Sequence, residues 1–344
     1  MVDTGHERHY RAVLRELTEG DVVPLLGAGV NLWNRGPEEG WERRSDFLPS
    51  GQELAEHLAA TFFYPRGDSG DSEAHGADGI AGADGDAREG EAPPPLDLLR
   101  VSQYVATTER YGPLYRELRK IFEATHPWTP AHSFFARFPG RMRERGAPRY
   151  QLIVTTNYDD QLERAFDEVE EPYDVVWYIA DPEELRGKFW HRSWQKPPER
   201  IEQPRRYTAL PLGERTVILK IHGAIDRDDA DRDSFVITED HYIDYLTKTD
   251  IDQLLPPAII ARLRKTCFLF LGYSMADWNL RVILHRIWGE QPLSWPSWAV
   301  RKDVDAVEAA LWDARNVAVL DVRLEVYIAE LERRLELFVA EPVR

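Results

Sequence analysis

Four short stretches place chemically capable side chains directly after an apolar run: PLLGAGVN (24–31), TTNYDD (155–160), ILKIHGAID (218–226) and FLFLGYSMADWN (268–279). In the first, Gly27-Ala28-Gly29 lets backbone N–H groups approach a phosphate without Cβ atoms in the way, although an ordinary tight turn would use the same residues. In the second, Asn157 carries both a donor and an acceptor, so it can hold a sugar hydroxyl and a water together. The alternative is local: Asp159 or Asp160 caps the helix that begins near Gln161, and Asn157 closes a turn. In the third, His222 ends a strongly apolar strand and titrates near neutrality, which suits a general base as well as a satisfied strand-end histidine. In the fourth, Gly272 precedes Ser274, Asp277 and Asn279, which either line a site or cap the next helix.

These residues need elements that bring them together. Apolar runs predict strands at Val22–Leu26, Leu152–Thr155, Val175–Ile179, Thr216–Ile221 and Cys267–Leu271, with shorter ones at Trp298–Val300 and Val317–Leu320. Helical spacing occurs in 51–63 and 97–124. It recurs in Leu162, Ala165, Phe166 and Val169, in Leu280, Ile283, Leu284 and Ile287, and in Leu324, Ile328, Leu331, Leu335 and Phe338. Strands alternating with helices imply an α/β fold with a mostly parallel sheet covered on both faces. In such a sheet the strand C-termini share one edge, so the four stretches would line one crevice suited to a nucleotide.

The composition narrows the class. The chain has 344 residues, 43% of them apolar, and a net charge of −17, which argues against general nucleic-acid binding. Its single cysteine, Cys267, excludes an internal disulfide and a multi-cysteine zinc site. It lacks a long apolar run, and its N-terminal stretch is too charged for a signal peptide, so a cytoplasmic protein is expected. Residues 66–95 hold seven Gly, eight acidic residues and one bulky apolar residue, Ile80, and are expected to be a disordered acidic insertion. Residues 186–206 carry seven basic against two acidic residues and three large aromatics. They read as a solvated loop or, alternatively, as a docking patch.

GAGVN, TTNYDD, KIHG and GYSMADWN, in that order, resemble the SIR2-like domain of bacterial anti-phage NAD-consuming effectors, distant relatives of sirtuins. VITEDHYIDYL (236–246) also looks like a segment common in these proteins. The resemblance runs from about residue 20 to the C-terminus, apart from the acidic insertion. It implies a Rossmann-like sheet, with NAD+ as substrate held by Gly27, Ala28, Gly29, Asn31, Thr156, Asp159, Gly272, Ser274 and Asp277. It makes Asn157 and His222 catalytic. Thr156 stands where sirtuins have the Gln of their Gln-Asn-Ile-Asp signature, and Tyr273 replaces a Thr. One cysteine cannot supply the sirtuin four-cysteine module, so no zinc is expected, and a helical cap at 45–140 takes that module's place. LWNRGPEEGWERR replaces the signature that would hold an acyl-lysine peptide.

The implied activity is NAD+ glycohydrolysis to nicotinamide and ADP-ribose in anti-phage defence. An NAD- or ADP-ribose-sensing module and an NAD-dependent deacylase or ADP-ribosyltransferase are the alternatives. Control by homo-oligomerisation or by a defence partner is expected: a HerA-type ATPase, an Argonaute-like protein or a phage trigger. No membrane contact or direct nucleic-acid binding is expected.

Overall fold

A computed structural model describes residues 4–33, 35–36, 39–65, 95–247, 254–273 and 293–341. Ser274, Asp277, the helix expected around Leu280–Ile287 and nearly all of the acidic insertion lie outside these residues.

Nine strands form one sheet: β1 (Val22–Leu26), β2 (Leu152–Thr155), β3 (Tyr173–Tyr178), β4 (Phe189–Arg192), β5 (Glu199–Ile201), β6 (Thr216–Lys220), β7 (Cys267–Leu271), β8 (Ser297–Arg301) and β9 (Val317–Asp321). Their spatial order is β5-β4-β3-β6-β2-β1-β7-β8-β9. The seven strands from β3 to β9 in that order pair in parallel, while β4 and β5 add an antiparallel edge. This is a Rossmann-like α/β sheet. The chain leaves β1 for β2 on one side and returns to β7 on the other, so the order reverses at β1. Crevices at such a reversal are where open α/β sheets bind ligands.

The central strands are apolar throughout because both faces are covered. Within β1, Val23 and Leu25 join the core on one face, and Val22 and Leu26 the core on the other. The second face is closed by α1 (Thr4–Glu19), α5 (Pro130–Glu144), α6 (Gln161–Glu168) and the final helix Leu324–Ala340. Between β1 and α5 lie α2 (Gly51–Thr61), α3 (Leu98–Glu109) and α4 (Tyr111–Phe122). These three bury a separate apolar cluster of Leu54, Leu58, Val101, Val105, Leu114 and Leu118 against Ile225, Phe235 and Ile237. Ser50 starts α2 with a reciprocal capping box to Glu53.

The structure departs from the sequence reading at residues 186–206, which form the β4–β5 edge and not a solvated loop. Phe189, His191 and Ile201 turn inward at about 1% exposure or less. Their alternation was hidden among arginines and lysines, which edge strands carry on the outward face. Strand β3 also starts two residues earlier than expected, because its second residue is a buried acid, Asp174.

Candidate functional site

Strands β6, β2, β1 and β7 are neighbours and all parallel, so the four motif-bearing strand ends share one edge. The turn after β1 lies on the turn after β7. Gly27 N–H donates to the Leu271 carbonyl at 2.9 Å, and Gly29 N–H to that of Gly272 at 3.0 Å. A Cβ on Gly27 would sit 2.7 Å from the Gly272 oxygen, and one on Gly29 2.7 Å from the Gly272 Cα. Gly272 itself has φ +70°, a conformation that favours glycine. The first task of these glycines is therefore close loop–loop packing. Ala28 is the exposed residue of the turn.

The TTNYDD stretch ties β2 to its neighbours. Thr155 donates its hydroxyl to the Leu26 carbonyl at 2.7 Å, and the Tyr273 hydroxyl donates to Thr156 Oγ1 at 3.2 Å. Asn157 donates Nδ2 to the Gly27 carbonyl at 3.2 Å, and its Oδ1 has acceptor capacity besides. Asp159 is built in from two sides. It accepts from the Gln161 N–H at 3.1 Å, opening α6, and from Asn31 Nδ2 at 2.8 Å. Capping and site-building thus coexist in one carboxylate. Asn31 is buried, and its Oδ1 has no hydrogen-bond partner among the described residues.

His222 occupies the equivalent place on β6. Thr155 and Lys220 are paired across the sheet, so Asn157 and His222 each lie two residues past that pair. Beyond it the chain turns at Gly223, φ +88°, where a Cβ would fall 2.1 Å from the Ser234 oxygen. The His222 carbonyl accepts from Val236 N–H at 2.8 Å. The imidazole is 4% exposed. Nδ1 lies 3.4 Å from the Tyr242 hydroxyl, and Nε2 has no partner among the described residues. Burial pushes its pKa down to about 3, so His222 is neutral at physiological pH.

Sequence reasoning missed the buried pair beneath these residues. Lys220, 1% exposed, donates Nζ to Glu163 Oε1 at 2.6 Å and to the Asp159 carbonyl. Burial pushes the Glu163 pKa up, and Lys220 opposes that shift. The pair locks α6 to the end of β6 and holds Asp159 in place. Its signal was visible as a lysine inside the otherwise apolar run TVILKI. Its partner, 57 positions away, was not. A cavity of about 350 Å³ opens beside α6, lined by Asp160, Glu163, Trp177, Arg192, Ala224 and Asp226 among others. None of Gly27, Asn157 and His222 lines it.

Residues 151–320 match the family model of the SIR2-like domain. Over 195 residues the chain is 29% identical to the NAD(+) hydrolase ThsA of Acinetobacter baumannii (strain 532279), an overlap of 56% of this chain and 31% of that protein. The chain thus matches about a third of the relative's length. Sheet order and family match agree in the region they share: residues 151–320 are similar to a SIR2-like domain.

Proposed function

We propose that the chain is an NAD+ glycohydrolase that releases nicotinamide and ADP-ribose. The observation that carries this reading is a pair of buried polar atoms, Asn31 Oδ1 after β1 and His222 Nε2 after β6, that lack a hydrogen-bond partner among the described residues at the C-terminal edge of the sheet. Buried polar groups are normally hydrogen-bonded, so such atoms mark where a ligand completes the network. The similarity to the hydrolase ThsA supplies the ligand class.

The chemistry follows from the leaving group. Nicotinamide departs from NAD+ as a neutral molecule, so the enzyme need not protonate it. It must orient the ribose, stabilise an oxocarbenium-like centre and deliver water. Asn157, held by the Gly27 carbonyl, presents Oδ1 to a ribose hydroxyl or the attacking water. His222 enters neutral and takes a proton through Nε2. Ala28 and the turn around it, with Gly272 and residues beyond Tyr273, would hold the diphosphate and adenosine portions. The α2–α4 cluster, packed over 225–237, would form the cap that closes the crevice in place of a zinc module. Anti-phage NAD+ depletion, controlled by self-association or a partner, is the biological reading that the family resemblance favours.

The depressed basicity of His222 favours a second reading, a module that senses NAD or ADP-ribose. Incubating the purified chain with NAD+ and separating the products distinguishes the two. Nicotinamide and ADP-ribose should accumulate with the native protein and not with Asn157→Ala. Saturable NAD+ binding without products, alone and with a candidate partner, would establish the sensor.

A further inference from the structure

The segment VITEDHYIDYL becomes α7 (Glu239–Thr247) and the strand-like run leading into it. This helix is anchored from several sides. His241, 2% exposed, stacks on Tyr111 of α4 at 5.1 Å, and its Nε2 lies 2.8 Å from Asp181 Oδ2. Tyr115, also on α4, donates its hydroxyl to the same Asp181 oxygen at 2.5 Å. Arg186 pairs with both Asp181 and Asp244. Gln103 of α3 donates to the Asp240 carboxylate at 2.9 Å and accepts from its N–H at 3.0 Å. The residue after His241 is Tyr242, whose ring meets His222 edge-on at 5.5 Å and 90°, with its hydroxyl on Nδ1.

A neutral imidazole carries one N–H, and which nitrogen bears it is set by the partner of the other. For His222 to accept a proton at Nε2, the N–H must reside on Nδ1 and find an acceptor there. We infer that Tyr242 is a positioning residue for His222: its phenol oxygen accepts the Nδ1–H and holds the tautomer that leaves the Nε2 lone pair bare. The anchored helix fixes where that oxygen stands. In its consequence for turnover, this deepens and rests on the assignment of His222 as proton acceptor. The tautomer itself does not depend on any reaction.

The test uses the full chain with 15N-labelled histidine, and His222→Gln identifies the resonance. Long-range 15N–1H correlation should show the Nδ1–H tautomer in the native protein and a shift toward Nε2–H in Tyr242→Phe, which keeps the ring packing. A native Nε2–H tautomer, read without any variant, would overturn the inference. So would an unchanged tautomer in a folded Tyr242→Phe. With NAD+, Tyr242→Phe should lower kcat about tenfold or more at unchanged KM, the pattern of a lost tautomer-fixing partner. A shifted tautomer in a chain that never cleaves NAD+ would uphold the positioning role while removing the hydrolase reading.

Discussion

Two buried histidines belong to the same sheet, His191 within a strand and His222 just past the end of one, and their surroundings are opposite. His191 on β4 is 1% exposed and has both nitrogens engaged: Nε2 with Asp174 at 2.9 Å, and Nδ1 with the Tyr207 hydroxyl at 2.5 Å. Asp174 in turn accepts from Trp194 N–H at 3.1 Å and pairs with Arg215 at 2.9 Å. His222 is almost as buried, yet among the described residues it has one long contact at Nδ1 and no partner at Nε2. Burial therefore does not distinguish the two histidines; completeness of hydrogen bonding does. His191 spends its whole capacity on holding the antiparallel edge to β3. His222 leaves Nε2 without a partner among the described residues at the C-terminal edge of the sheet.

That contrast predicts opposite phenotypes. His191→Ala removes the donor at 2.9 Å from one oxygen of the fully buried Asp174, while Arg215 and the Trp194 N–H stay on the other. It should cost about 1–3 kcal/mol of stability, the scale for leaving a buried polar atom short of a partner. Denaturant titration measures it, and a loss under about 1 kcal/mol would show that Arg215 alone satisfies the carboxylate. His222→Ala and Asn157→Ala should barely move the denaturation midpoint. Each should instead cut NAD+ cleavage by about a hundredfold or more. The double variant should be little worse than the worse single one, since both serve one step. Native turnover in either folded variant would place the site elsewhere.

How much of this contrast was legible beforehand depended on range. The four strand ends were readable because each is an uninterrupted apolar run followed by glycine or short polar residues, as in Leu152–Thr155 and Cys267–Leu271. Periodicity also located the final helix and the stripe of Leu162, Ala165 and Phe166 on α6. What failed was long-range pairing. Asn31 and Asp159 meet across 128 positions and Lys220 and Glu163 across 57, and nothing local announces either pair. The glycines of GAGVN were read for a phosphate because a missing Cβ looks the same whether a ligand or the Gly272 turn fills the space. The β4–β5 edge was lost because its inward residues are interleaved with charge.

Acid should expose the neutral histidines. His222 is depressed to about 3, and His132 and His9 to about 4, in each case chiefly by burial. The unfolded chain protonates these rings below about pH 6.5 while the fold resists until its own lower pKa values. The unfolded state then binds more protons, so stability falls as pH drops through that window. Between about pH 7 and 5 each such ring should remove about 2 kcal/mol. His222→Gln should soften the acid dependence by that amount relative to the native chain. An identical pH slope in the two proteins would mean that His222 takes up its proton in the fold over the same pH range as in the unfolded chain.

The smallest effect sharpens the comparison within the site itself. Thr156 stands at the signature position that the resemblance assigns to NAD+, yet its hydroxyl already accepts from Tyr273 at 3.2 Å, tying the turn after β2 to the turn after β7. By the criterion separating the two histidines, the engaged Thr156 hydroxyl is expected to hold structure, whereas the proposed function uses the atoms left over, Asn157 Oδ1 beside its bonded Nδ2 and His222 Nε2. Thr156→Val keeps the shape of the side chain and removes the acceptor. It should cost about 1 kcal/mol of stability, the ordinary worth of one hydrogen bond. NAD+ cleavage should stay within about threefold of native, because the groups placed on the ribose are untouched. A tenfold or larger rise in KM with unchanged stability would reverse the assignment: the Thr156 hydroxyl would then turn from Tyr273 to the ligand when NAD+ binds, and completeness of hydrogen bonding would no longer identify a structural group.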